Sequence, residues 1–145
     1  MGKILCATRG GEASVRTQEA AIQRSKETGD ELIFFFVGDV EFLAKANYAL
    51  RSDVITDQLK RMADFLMTMA CERAGKRGVS ARFILKSGDF VEQLKLTVAE
   101  EAITLIILGR PSGDDASTFA LSALEEFVVQ LQEDTGIEVW IPPAE

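Results

Sequence analysis

Short apolar runs alternating with segments of helical length constrain this chain more than any other feature. Ile4 to Thr8, Glu31 to Val37, Val79 to Lys86, Thr104 to Leu108 and Ile137 to Ile141 are each too short for a buried helix. Glycine, proline or polar turns bound them, so each predicts a strand. Leu32 to Val37 and Leu105 to Leu108 show no polar alternation, the mark of strands covered on both faces. The segments between have helical character. Ser14 to Thr28 is rich in helix formers and stops at Gly29, a C′ position. Asp53 to about Gly75 carries a stripe of Ile55, Leu59, Met62, Leu66 and Met69. Met62, Met67 and Met69 read there as core filling. Asp89 is an N-cap for a helix whose inner face is Val91, Leu94, Val98 and Ala102. A polar loop from Arg110 to about Ser117 precedes a last helix with Leu121, Leu124, Phe127, Val128 and Leu131 inward. Asp39 to Ser52 is ambiguous, a connection that could hold a short helix of its own.

The order β-α-β-α-β-α-β-α-β predicts an α/β fold. It is three-layered, a doubly wound five-stranded parallel sheet of order 3-2-1-4-5 with helices on both faces. With 145 residues, residues 1–145 are expected to form a single domain. No apolar run approaches the ~18 residues that span a bilayer. Met1 to Cys6 enters a strand at once, with no charged n-region and long apolar h-region, which predicts no signal peptide and a cytoplasmic location. The net charge of −7 argues against nucleic acid as a partner. Histidine is absent, which removes the commonest general base and metal ligand. Cys6 and Cys71 form no Cys-x-x-Cys pair and read as buried small hydrophobes. No catalytic residue and no metal site is predicted.

In a doubly wound sheet a ligand sits beyond the carboxyl ends of the strands, where the winding reverses. The loops after strands one and four meet there. Both contain glycine: Thr8-Arg9-Gly10-Gly11 and Gly109-Arg110-Pro111-Ser112-Gly113. Glycine lets backbone N–H groups approach phosphate oxygens, and each following helix points its positive end at the same place. Such glycines also serve as plain turn residues. There is no Walker A sequence, no Gly-x-Gly-x-x-Gly and no Gly-x-Ser-x-Gly. Ser14 and Ser122 have no histidine to activate them. The acidic pairs Glu100-Glu101, Asp114-Asp115 and Glu125-Glu126 read as solvated faces.

Several segments resemble the universal stress protein family, nearly end to end. Lys3-Ile4-Leu5-Cys6-Ala7-Thr8, then Gln18-Glu19-Ala20-Ala21-Ile22 and Thr28-Gly29-Asp30-Glu31-Leu32, are similar to its first strand, helix and second strand. Ser87-Gly88-Asp89 with Ile103 to Gly109, and Ile137 to Ile141, are similar to its third loop, fourth strand and last strand. The resemblance implies a crevice for ATP or AMP, with magnesium if ATP. It implies nucleotide contacts at Ala7, Thr8, Arg9, Gly10, Val37, Gly109, Arg110, Ser112, Gly113, Ser122 and Ala123. It also implies a homodimer through the C-terminal strand at Val139, Trp140 and Ile141, with burial of Trp140 under the last helix as the alternative.

The chain departs from the family pattern. An aspartate is implied where Arg9 stands, a second glycine where Ser112 stands, and a third where Ser122 stands, followed by Ala123. Asp114 and Asp115 fall in the loop that would cradle phosphates. At ~4 Å and an effective dielectric near ~20, each close like-charge pair costs up to ~4 kcal/mol before screening. Arg9 and Arg110 could offset this, or pair with those aspartates and fill the crevice. The expected function is therefore a non-catalytic, homodimeric stress-response regulator with a degenerate nucleotide crevice. The alternatives are a working ATP- or AMP-binding member and an adenylating enzyme of the PP-loop type. The last rests on Arg9-Gly10-Gly11-Glu12-Ala13-Ser14, where Ala13 stands for the expected aspartate.

Overall fold

The computed structural model describes residues 2–7, 12–38, 52–88, 90–109 and 118–142, except the side chains of 12–14, 38, 52–57, 59, 87 and 118–124. The elements run β1 (Lys3–Ala7), α1 (Glu12–Thr28), β2 (Glu31–Gly38), α2 (Ser52–Lys76), β3 (Ala81–Ser87), α3 (Phe90–Glu101), β4 (Leu105–Leu108), α4 (Thr118–Thr135) and β5 (Glu138–Trp140). The five strands form one sheet in the order β3-β2-β1-β4-β5, and every pairing is parallel. This is the expected α/β architecture. Of the ambiguous segment Asp39 to Ser52, Ser52 opens α2, and residues 39–51, like the proposed N-cap Asp89, lie outside the described residues.

Alternate side chains of the central strands divide between two cores, as a pleated strand requires. Ile4 and Cys6 of β1, Leu32 and Phe34 of β2, and Leu105 and Ile107 of β4 pack with Ala21 and Ile22 of α1 and Met67, Ala70 and Ala74 of α2. Leu5, Ile33, Phe35, Ile106 and Leu108 face the other way, against Leu94 and Val98 of α3 and Leu131 of α4. Both faces are therefore dry, which explains strands with no polar alternation. The amino ends of the strands are stitched by polar groups. Gly2 N–H donates to Asp30 Oδ1 at 2.9 Å, and Lys3 N–H donates to Thr104 Oγ1 at 2.9 Å. Ser25 Oγ donates to the Asp30 carbonyl at 2.6 Å. Gly29 ends α1 with φ +77°, the left-handed turn expected of it.

Five details differ from the expectations. The buried face of α2 is Ala63, Met67, Ala70 and Ala74, while Met62 is 53% and Met69 41% exposed. Small side chains let α2 lie close on β2 and β3, and that closeness decides which face turns inward. Of the three methionines only Met67 fills the core. Leu66 is half-buried, and the Ile55 and Leu59 side chains are outside the described set. Ala102 is exposed, one residue beyond α3, with φ 55°; it closes the helix rather than packing its face. Cys6 is buried, but Cys71 is only half-buried. Burial pushes the Cys6 thiol up to about 12 and raises Cys71 as well. Glu101 is no simple solvated acid: it pairs with Arg82 at 2.8 Å, which holds its carboxyl below the usual range. Trp140 is half-buried on the α1 side of the sheet, not under the last helix. The Arg24 guanidinium stacks over its ring at 5.1 Å, a cation–π contact. Strand alternation gives the cause, since Val139 takes the α4 side.

Candidate functional site

The winding reverses between β1 and β4. α1 and α2 cover one face, and α3 and α4 the other. β1 and β4 lie side by side, with Ala7 opposite Leu108 at their last described residues. From Ala7 the chain passes to α1 on one face, and from Leu108 to α4 on the other. Their helices thus part over one point at the carboxyl edge, the place where an open α/β sheet leaves a ligand crevice.

The edge is stepped. Ala7 also pairs with Phe35 of β2, and β2 continues through Val37 and Gly38, which pair with Lys86 and Ser87 of β3. Val37 therefore stands as a wall above Ala7, its side chain half-buried against the α3 and α4 core. Gly109 follows β4 and sits against α1. A Cβ at Gly109 would come within 2.8 Å of Thr17 Oγ1, closer than real side chains approach. Glycine at this position thus allows α1 to lie close against the carboxyl end of β4.

Thr17 and Gln18 supply polar groups inside that side of the fold, being 6% and 4% exposed. Gln18 Oε1 accepts from Arg73 Nη1 of α2 at 2.5 Å. Neither residue was among those expected from the sequence. A signal did exist: Thr17, Ala21 and Ser25 recur every four residues on the inward stripe of α1. Polar side chains on a buried stripe signal a packed polar contact or a site.

Of the expected contacts, Ala7, Val37 and Gly109 come together at this edge. Ser122 and Ala123 lie in the early turns of α4, beyond the loop that follows Gly109. Thr8, Arg9, Gly10, Arg110, Ser112 and Gly113, with Asp114 and Asp115, lie outside the described residues. Among the described carboxyls, those held low are elsewhere. Glu101 is on Arg82 near the amino ends of the strands, and Asp134, on Lys95, is at the far end of α4. A hollow of about 400 Å³ lined by Ser25, Asp30, Gly78 and Arg82 is also at the amino end.

Comparison with known proteins places this geometry. Residues 1–134 match the universal stress protein family. The chain is 24% identical to the universal stress protein YxiE of Bacillus subtilis over 136 residues, 89% of this chain and 92% of that one. The solved universal stress protein UspA of Lactobacillus plantarum superposes with a TM-score of 0.78 at 14% identity, covering 98% of this chain and 97% of that one. Another universal stress protein, solved in complex with cAMP, superposes with a TM-score of 0.64 at 16% identity, covering 99% and 98%. No helix among the described residues is long and apolar enough to cross a membrane. With its sheet order, its switch point and a family match over most of its length, the chain belongs to the universal stress protein family.

Proposed function

We propose that this chain is a non-catalytic, cytoplasmic stress-response regulator, one domain over residues 1–145, whose crevice has lost effective binding of ATP. The observation that carries the crevice is the pairing of Ala7 with Leu108 at the switch point. What supports loss of ATP binding is the sequence alone: Arg9 where the family resemblance implies an acid, Ser112 and Ser122 where it implies glycines, and Asp114-Asp115 within the loop it implies for phosphates. A side chain in place of a glycine blocks backbone approach, and two carboxylates repel a triphosphate.

Thermal unfolding with millimolar ATP and magnesium, AMP or cAMP tests this reading. A ligand at a hundred times its Kd adds ~2.7 kcal/mol of stability. The expected outcome is no rise in Tm with ATP and magnesium. A clear rise would instead support a working nucleotide binder, in which Arg9 and Arg110 neutralise phosphate, and the solved cAMP complex of a family member makes that ligand worth including. Release of pyrophosphate from ATP with any acceptor would overturn the non-catalytic assignment.

The same proposal includes a homodimer along β5. β5 pairs with β4 alone among the described strands, and an edge strand is open to a further strand. Trp140 and Ile141 are half-buried and Glu138 is exposed, which leaves this edge surface to contribute.

A further inference from the structure

We infer that the outer face of α2 is a self-association surface on which a second copy of this chain docks with its own α2 antiparallel. The face is the one the core leaves out. Met62, Phe65 and Met69 are 53%, 63% and 41% exposed, on the side of α2 turned away from Ala63, Met67, Ala70 and Ala74. They continue a regular seam. Gln58, Met62, Phe65, Met69, Glu72 and Lys76 follow one another at spacings of four and three, and all six are exposed. That is the spacing of a heptad seam, apolar at its centre and polar toward both ends. Three large apolar residues in a row on a solvent face mark an interaction surface, and methionines adapt to a facing partner.

Charge selects the partner and its direction. Arg61 flanks the seam toward its amino end, and Glu72 and Lys76 lie toward its carboxyl end. In a parallel pair, Glu72 would meet Glu72 and Lys76 would meet Lys76. In an antiparallel pair with Phe65 opposite the partner's Met69, the partner's Glu72 falls across from Met62 and beside Arg61. Gln58 then lies across from the partner's Lys76. Each contact occurs twice about a two-fold axis, as an isologous interface requires. The sequence of the seam is thus complementary to its own reverse, so the occupant argued for is another copy of this chain.

Sedimentation velocity on the full chain, from low micromolar to near-millimolar concentration, tests the inference. The wild type is expected to show reversible self-association. Phe65→Glu and the milder Phe65→Ser should each weaken it by about tenfold or more, with the melting curve checked to show an intact fold. Arg61→Glu and Glu72→Arg should each weaken it, and the double exchange should restore it. A wild type that stays monomeric throughout overturns the inference. So does association indifferent to both Phe65 variants, or a double exchange that rescues nothing. Pairing along β5 would not respond to Phe65, so association that persists in both Phe65 variants marks failure of this inference alone, and nucleotide titrations test the crevice of the proposed function independently of either face.

Discussion

A methyl group at Gly109 would meet the Thr17 hydroxyl at 2.8 Å, and the two residues form one mechanical unit. Gly109→Ala is expected to cost ~1–3 kcal/mol, the range for an overpacked site. Thr17→Ala in the same chain should recover part of that loss, a coupling that a double-mutant cycle in urea would measure. Additive losses would mean that the two residues do not press on each other. At this scale the site was partly legible. Gly109 announces itself because a strand must end in a residue that lets the chain turn, whereas Val37 is expected only through the family resemblance. Thr17 went unnoticed because a threonine within a helix draws no attention until its stripe is known to face inward. Arg9 and Ser112 were visible as departures, but what a side chain does in a loop is decided by neighbours that are distant in sequence.

The strands were easiest to find in the sequence, since a strand buried on both sides must be apolar throughout, and few other structures need that over so short a length. Helices were found with nearly correct limits, yet the inward face of α2 was not. Two stripes with spacings of three and four run along it. The one with larger side chains, Met62 and Met69, looks more hydrophobic; the one with alanines allows a closer approach to the sheet. Packing distance, which a single sequence does not state, chose the second. The difference is measurable. Met67→Ala should destabilise by ~2–5 kcal/mol, whereas Met62→Ala should change stability by less than ~0.5 kcal/mol. Chemical denaturation of the two variants checks this, and equal losses would put Met62 back in the core.

At the scale of the molecule, the winding order was readable from the alternation alone, because parallel strands joined by helices leave few arrangements. Association along the expected C-terminal strand depends on details too local for a pattern. The outer strand shows why. Val139 N–H donates to Gln132 Oε1 at 3.1 Å, so the last helix reaches across and occupies a donor that another strand would use. Gln132→Ala should therefore strengthen association along β5, read as a larger sedimentation coefficient at equal concentration. No change would mean that this edge takes no partner. Growth of the sheet is thus conditional: a neighbouring strand must first displace an amide already in place. A protein so arranged can keep a bare margin in a crowded cell without zipping onto every extended peptide it meets.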